Sequence, residues 1–169
     1  MRALIVVDVQ NDFVTGSLGS EEAVSKLHNI SKRIADYVAS GDIIVFTKDT
    51  HDENYLNTAE GRKLPYPHCI KNTEGWNICK EVYLESADIL EKPTFGYRKW
   101  KKYFAFDKLD SIELIGFCTD ICVISNALIL KATFPEIDIF VNEACCAGTT
   151  TEQHNNAISI MRSCQIEII

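Results

Sequence analysis

Leu114-Ile115-Gly116-Phe117-Cys118-Thr119-Asp120-Ile121-Cys122-Val123 is the stretch on which the reading of this chain turns. An apolar run from Ile112 to Ile115 stops at Gly116, and helical spacing takes over after Asp120 and continues through Ala132. The pattern predicts a strand, a short turn and a helix that begins just below Cys122. A thiol in a first helical turn meets the positive end of the helix dipole, which favours thiolate over thiol. It also falls at the C-terminal edge of a sheet, where open α/β folds place their sites. The plain alternative is a buried cysteine that fills space, as most cysteines do.

Outward from this stretch the same alternation recurs. Residues 3–8 form an unbroken apolar run that ends at Asp8, the mark of a buried parallel strand. A loop with Gln10, Asn11, Asp12 and Phe13 follows. Ser20 then caps a helix with Glu21 and Glu22 in its first turn, and Val24, Leu27, Ile30, Ile34 and Val38 keep helical spacing to about Gly41. Residues 42–46 read as a second strand that runs out into Thr47, Lys48 and Asp49. Between 50 and 86 the periodicity is poor, although Val82 to Leu84 has the composition of a short strand. Structureless stretches of that length are uncommon in compact domains and usually carry function.

A third strand covers 87–91 and stops near Lys92, because Pro93 cannot continue a central ladder. Residues 98–106, aromatic and basic, suggest a short helix. After the central strand and helix come a fifth strand over 137–141, a helix from Thr150 or Thr151, and a sixth strand over 165–169. Strands alternating with helices predict one domain over 1–169. Its architecture would be a three-layer α/β/α sandwich around a mostly parallel, six-stranded, Rossmann-like sheet.

Composition narrows the function. The 169 residues are 46% hydrophobic and 24% charged, ordinary for a soluble domain with a sizeable core. A net charge of −7 argues against a nucleic-acid partner. No apolar run is long enough to cross a membrane, and Asp8 interrupts the one N-terminal stretch that looks like a signal sequence. The expectation is a cytoplasmic protein. Its 7 cysteines form no C-x-x-C pair, so neither a zinc ribbon nor a thioredoxin-type motif is indicated, and free thiols are expected.

In a parallel sheet the C-terminal strand ends share one edge. Asp8, Asp49, Lys92 and Cys122 should gather there. Taken singly, Asp8 reads as a turn cap and Lys92 as a solvated strand end. Together, a lysine would hold a thiolate and a carboxylate charged, and the carboxylate would move a proton between thiol and leaving group. A second constellation joins Asp49 and His51 to His68 and an acid between them, best placed at Glu60. Two imidazoles with carboxylates suit Zn²⁺, Fe²⁺ or Mn²⁺ without selecting one. His28 and His154 lie inside helical patterns and look structural or surface-exposed.

At this point the residues resemble the isochorismatase-like cysteine hydrolases, and within them the nicotinamidase/pyrazinamidase-like members. Asp8-Val9-Gln10-Asn11-Asp12-Phe13 matches the family's opening motif. Lys92-Pro93-Thr94-Phe95-Gly96 resembles its lysine segment, and Gly116 to Val123 its cysteine segment. Asn142 to Gly148 resembles the closing segment. The resemblance implies a triad of Asp8, Lys92 and Cys122. It also implies a non-proline cis peptide at Phe117–Cys118 and an oxyanion hole from the N–H groups of Cys118 and Cys122. The metal ligands it implies are Asp49, His51, Glu60 and His68. Many members carry a further histidine where this chain has Asn57; Glu60 takes a position used by others, with Glu53 or Asn57 as substitutes. Phe13, with Tyr66 or Phe95, would pack against the substrate ring. The implied activity is hydrolysis of nicotinamide to nicotinate and ammonia through a thioester, with a place in NAD metabolism. The implied assembly is a homo-oligomer. The rivals are a metal-free relative, such as an N-carbamoyl amidase or an isochorismatase, and a non-catalytic binding module.

Overall fold

The computed structural model describes residues 1–105 and 107–169. Six strands form one sheet: β1 (Arg2–Val7), β2 (Ile43–Asp49), β3 (Asp88–Lys92), β4 (Ser111–Phe117), β5 (Asp138–Ala147) and β6 (Glu167–Ile168). Their order is β3-β2-β1-β4-β5-β6, and every neighbouring pair runs parallel. The helices are α1 (Asn11–Val14), α2 (Glu21–Ser40), α3 (Trp100–Tyr103), α4 (Ile124–Thr133) and α5 (Thr151–Ser163).

Side-chain alternation along β1 builds two cores. Ala3, Ile5 and Val7 pack with Trp100, Ala127, Leu130, Ile158 and Met161 beneath α3, α4 and α5. Leu4 and Val6 face the other way, onto Ala23, Ile30, Ile34 and Tyr37 of α2. Both layers therefore cover a fully buried central strand, which is why β1 reads as an unbroken apolar run. Ser20 caps α2 through its side chain to Ala23 N–H, and Gly41 ends it in the left-handed conformation with φ 68°. Thr150 caps α5 in the same manner as Ser20. Among the described residues no helix is long and apolar enough to cross a membrane.

Several boundaries differ from expectation. β2 runs to Asp49 rather than Phe46, because Thr47, Lys48 and Asp49 still pair with β3. β5 continues past Val141 to Ala147; a register shift opposite Leu114 and Gly116 lets Cys146 and Ala147 rejoin β4. Val82 to Leu84 forms no strand: Val82 ends a turn, and Tyr83 and Leu84 are irregular. The helix expected over 98–106 is only the single turn Trp100–Tyr103, and Phe106 lies outside the described residues. The central helix also does not start as an α-helix. Thr119–Val123 is a π turn, and α4 begins behind it at Ile124.

Strand order places a switch point beside β1. The chain leaves β1 for β2 on one side and later fills β4 on the other, so the connections diverge above the C-terminal ends of β1 and β4 and leave a crevice there.

Candidate active site

Three strand ends deliver three side chains to that crevice. Asp8 follows β1 with φ 49°, a left-handed exit that turns the chain sharply out of the sheet. Lys92 is the last residue of β3, and Cys122 sits in the π turn after β4. All three are buried, at 0%, 1% and 3% exposure. Lys92 Nζ lies 2.6 Å from Asp8 Oδ2 and 3.5 Å from Cys122 Sγ. Thr47 Oγ1 donates to the other oxygen of Asp8 at 2.7 Å. Asp8 Oδ2 is buried and held by the Lys92 ammonium alone among the described residues.

The turn that carries Cys122 is braced from several directions. Gly116, at φ 116°, is the one residue type that fits where β4 passes β1, since a Cβ there would strike the Val7 carbonyl. The Phe117–Cys118 peptide is cis, as the family resemblance implies. The Cys118 carbonyl accepts from the N–H groups of Ile121 and Val123 and leaves that of Cys122 out of the set. Thr119 Oγ1 is 2.8 Å from His154 Nδ1, so His154 is structural, as its helical setting suggests. Asn126 Nδ2 donates to the Cys122 carbonyl at 2.8 Å, while Asn126 Oδ1 accepts from Tyr97 N–H and Trp100 Nε1. The lysine segment is thereby tied to the turn that carries the thiol.

Electrostatics bear on one expectation. Burial pushes the Cys122 thiol well above its ordinary range, and Lys92 opposes this without reversing it. Desolvation in a fully buried site therefore works against the thiolate that a first helical turn would favour. Burial also raises the Asp8 carboxyl, against the pull of Lys92. Burial alone would lower the Lys92 ammonium, yet the charges of Asp8, Cys122 and Asp49 outweigh it and keep the amine charged. Cys118 is pushed up to about 12 by burial.

Beside the triad, Asp49, His51, Glu60 and His68 converge, with one donor atom from each lying within 4.8 Å of the others. Asp49 Oδ2 is 3.1 Å from His51 Nε2 and 3.5 Å from His68 Nε2. Glu60 Oε1 is 3.7 Å from His51 Nε2 and 3.8 Å from His68 Nε2. The four residues fit a divalent cation. His68 Nδ1 lies 2.8 Å from the Tyr66 carbonyl, which can only accept, so Nδ1 carries the proton and Nε2 turns a lone pair to the cluster. Burial and the Asp49 charge raise the Glu60 carboxyl, the mark of acids crowded where a cation would relieve them. Burial alone would raise Asp49 too, but the adjoining His51 and His68 imidazoles and the Lys92 charge hold it well below the usual carboxylate range. Glu53 and Asn57 are exposed on the loop, Asn57 pairing with Asn54 at 2.5 Å, and neither joins the cluster.

A cavity of about 750 Å³ opens onto both groups, lined by Cys122 and Cys118 as well as Asp49, Glu60 and His68. Phe13 and Phe95, the expected ring contacts, line it. Tyr66 does not: between Pro65 and Pro67 its ring turns outward, 58% exposed, and only its backbone serves the site through His68. Tyr55 was not singled out in the sequence, yet its ring packs 4.7 Å from His51 and 5.0 Å from His68. Its own segment is aperiodic, so no pattern marked it.

Such an arrangement suits hydrolases that work through an enzyme thiol with a carboxylate to handle the protons. The chain belongs to the isochorismatase family, whose domain profile matches residues 2–169. It is similar to an uncharacterised isochorismatase-family protein of Bacillus subtilis, 31% identical over 94% of this chain and 92% of that protein. It is also similar to a nicotinamidase of Schizosaccharomyces pombe, 27% identical over 99% of this chain and 92% of that one. Among solved structures, the pyrazinamidase of Pyrococcus horikoshii in complex with zinc superposes with a TM-score of 0.88 at 28% identity, covering 99% of this chain and 98% of that one.

Proposed function

We propose that this chain hydrolyses nicotinamide to nicotinate and ammonia through a thioester on Cys122. One observation carries the reading: the Cys122 thiol and three members of the metal-ligand cluster, Asp49, Glu60 and His68, line the same cavity, so an amide held at one end meets a nucleophile at the other. The similar proteins named nicotinamidase and pyrazinamidase support the choice of a pyridine or pyrazine carboxamide. A divalent ion held by Asp49, His51, Glu60 and His68 supplies a Lewis-acid anchor for the ring nitrogen, and zinc is the first ion to test.

The remaining work falls to the chain itself. Phe13 and Phe95 flank the ring. Asp8, held by the Lys92 ammonium through Oδ2, takes the thiol proton. The sulfur attacks the carboxamide carbon, and the N–H groups of Cys118 and Cys122 receive the oxyanion. Asp8 gives its proton to the departing nitrogen, the C–N bond breaks, and ammonia leaves a thioester behind. A water loses a proton to Asp8 and attacks that thioester; the C–S bond breaks and Asp8 returns the proton to sulfur. Lys92 stabilises each anionic stage at Asp8 or Cys122. The deciding assay is ammonia release from nicotinamide, pyrazinamide and a carbamoyl amine by zinc-loaded protein. Turnover of the ring carboxamides is expected, and turnover of the carbamoyl amine alone would overturn the reading.

A further inference from the structure

The sheet contains an unpaired step that a side chain fills. β1 and β2 stay in register only as far as Val7 opposite Thr47, and Asp8 N–H makes the last contact, to the Thr47 carbonyl at 3.2 Å. The left-handed turn at Asp8 then takes the chain away, while β2 continues to Asp49. On the far side, Thr50 N–H donates to the Lys92 carbonyl, so the N–H and C=O of Asp49 itself point back toward the vacated β1 side. Gln10, fully buried, occupies that place. Asp49 N–H donates to Gln10 Oε1 at 2.7 Å, and Gln10 Nε2 donates to the Asp49 carbonyl at 2.9 Å. The second Nε2 hydrogen goes to the Trp76 carbonyl, also at 2.9 Å. A side-chain carboxamide thus copies the donor and acceptor of the missing strand residue, and it cannot flip without losing all of these bonds.

We infer that Gln10 is a positioning residue for metal binding: its carboxamide completes the sheet against Asp49 and fixes the carboxylate between the imidazoles of His51 and His68 and the ammonium of Lys92. Asp49 has Oδ2 toward the histidines and Oδ1 toward Lys92 at 3.6 Å, so a backbone shift at this residue misplaces both oxygens together. Glutamate at position 10 keeps the acceptor and loses both donors. Asparagine keeps the chemistry and is one methylene too short to span both Asp49 groups.

This inference rests on the cluster being a cation site, and the experiment separates the two. Zn²⁺ affinity is measured by chelator competition for the wild type, Gln10→Glu, Gln10→Asn and the control Asn11→Ala. Asn11 is on the same segment, but its side chain bonds to Glu74 outside the cluster. A drop of roughly 10–100-fold is expected for both Gln10 variants, the size typical when an outer contact to a metal ligand is lost, with Asn11→Ala unchanged. Co²⁺ in place of Zn²⁺ should give an altered visible absorption in the Gln10 variants, which a general loss of stability would not produce. Wild-type affinity and spectrum in both variants would overturn the role of Gln10 and leave the metal site standing. Failure of the wild type to bind Zn²⁺ would overturn the metal site and this inference with it. A further readout needs no variant: in the wild-type protein the Gln10 side-chain amide resonances should shift on adding Zn²⁺, and unmoved resonances would count against the coupling.

Discussion

Asp49 Oδ1 stands 3.6 Å from Lys92 Nζ, so a single carboxylate links the candidate cation cluster to the lysine of the candidate triad. The two halves of the site are therefore electrostatically joined. Asp49→Asn should weaken Zn²⁺ binding by more than the roughly 10–100-fold expected for an outer contact. It should also lower the pKa of Asp8, because the Asp49 charge is one of the influences that raise it. Chelator competition and the pH dependence of kcat/KM would show both effects; a metal defect with an unmoved pH profile would disprove the link.

Cys122→Ala should reduce turnover by about 10⁴-fold or more, the scale on which loss of a nucleophile acts. Nicotinate binding, read by calorimetry, should stay within a few-fold of wild type, since the cavity wall is otherwise intact. Alkylation followed by peptide mapping should place the first label on Cys122. Earlier modification of Cys118 would reverse the assignment of nucleophile.

Acid should switch the enzyme off earlier than an ordinary carboxylate would. Asp8 must be ionised to accept the thiol proton, and burial lifts its pKa above the usual 3.8. Activity should be retained above that raised value and lost as pH falls through it. A pH–rate profile whose acid limb sits at or below 3.8 would remove Asp8 as the base.

Away from the site, Glu113 is 3% exposed on the α2 face of β4. It accepts from Arg33 Nε at 2.8 Å, Arg33 Nη2 at 2.5 Å, Tyr37 Oη at 2.9 Å and Asn142 Nδ2 at 3.1 Å. Arg33→Met strands that carboxylate and should cost roughly 3 kcal/mol, read as a fall in the urea midpoint. Adding Glu113→Gln should recover part of the loss, and kcat should not change in either variant. An unchanged midpoint for Arg33→Met would show that the pair contributes nothing.

The layered sheet was legible because buried parallel strands leave unbroken apolar runs, as at Ala3 to Val7, and because Ser20, Gly41 and Thr150 punctuate the helices with side-chain chemistry. The convergence of Asp8, Lys92 and Cys122 follows from strand direction alone. Other features leave no periodic trace. The π turn at Thr119–Val123 depends on which N–H groups the Cys118 carbonyl accepts, a choice that hydrophobic spacing does not encode. The inward turn of Tyr55 and the outward turn of Tyr66 are decided by packing within an aperiodic segment. The balance between thiol and thiolate at Cys122 depends on burial depth, which only the folded chain has.

The two halves of the site also differ in when a growing chain can build them. Gln10, Asp49, His51, Glu60 and His68 are all synthesised before β3, and the cluster closes within one short stretch between β2 and β3. The nucleophile waits for β4 to settle against the far edge of β1, a contact between distant parts of the sequence. A ribosome therefore releases the candidate cation-binding half first, and a nascent chain has its proposed metal ligands on hand before it has the proposed nucleophile.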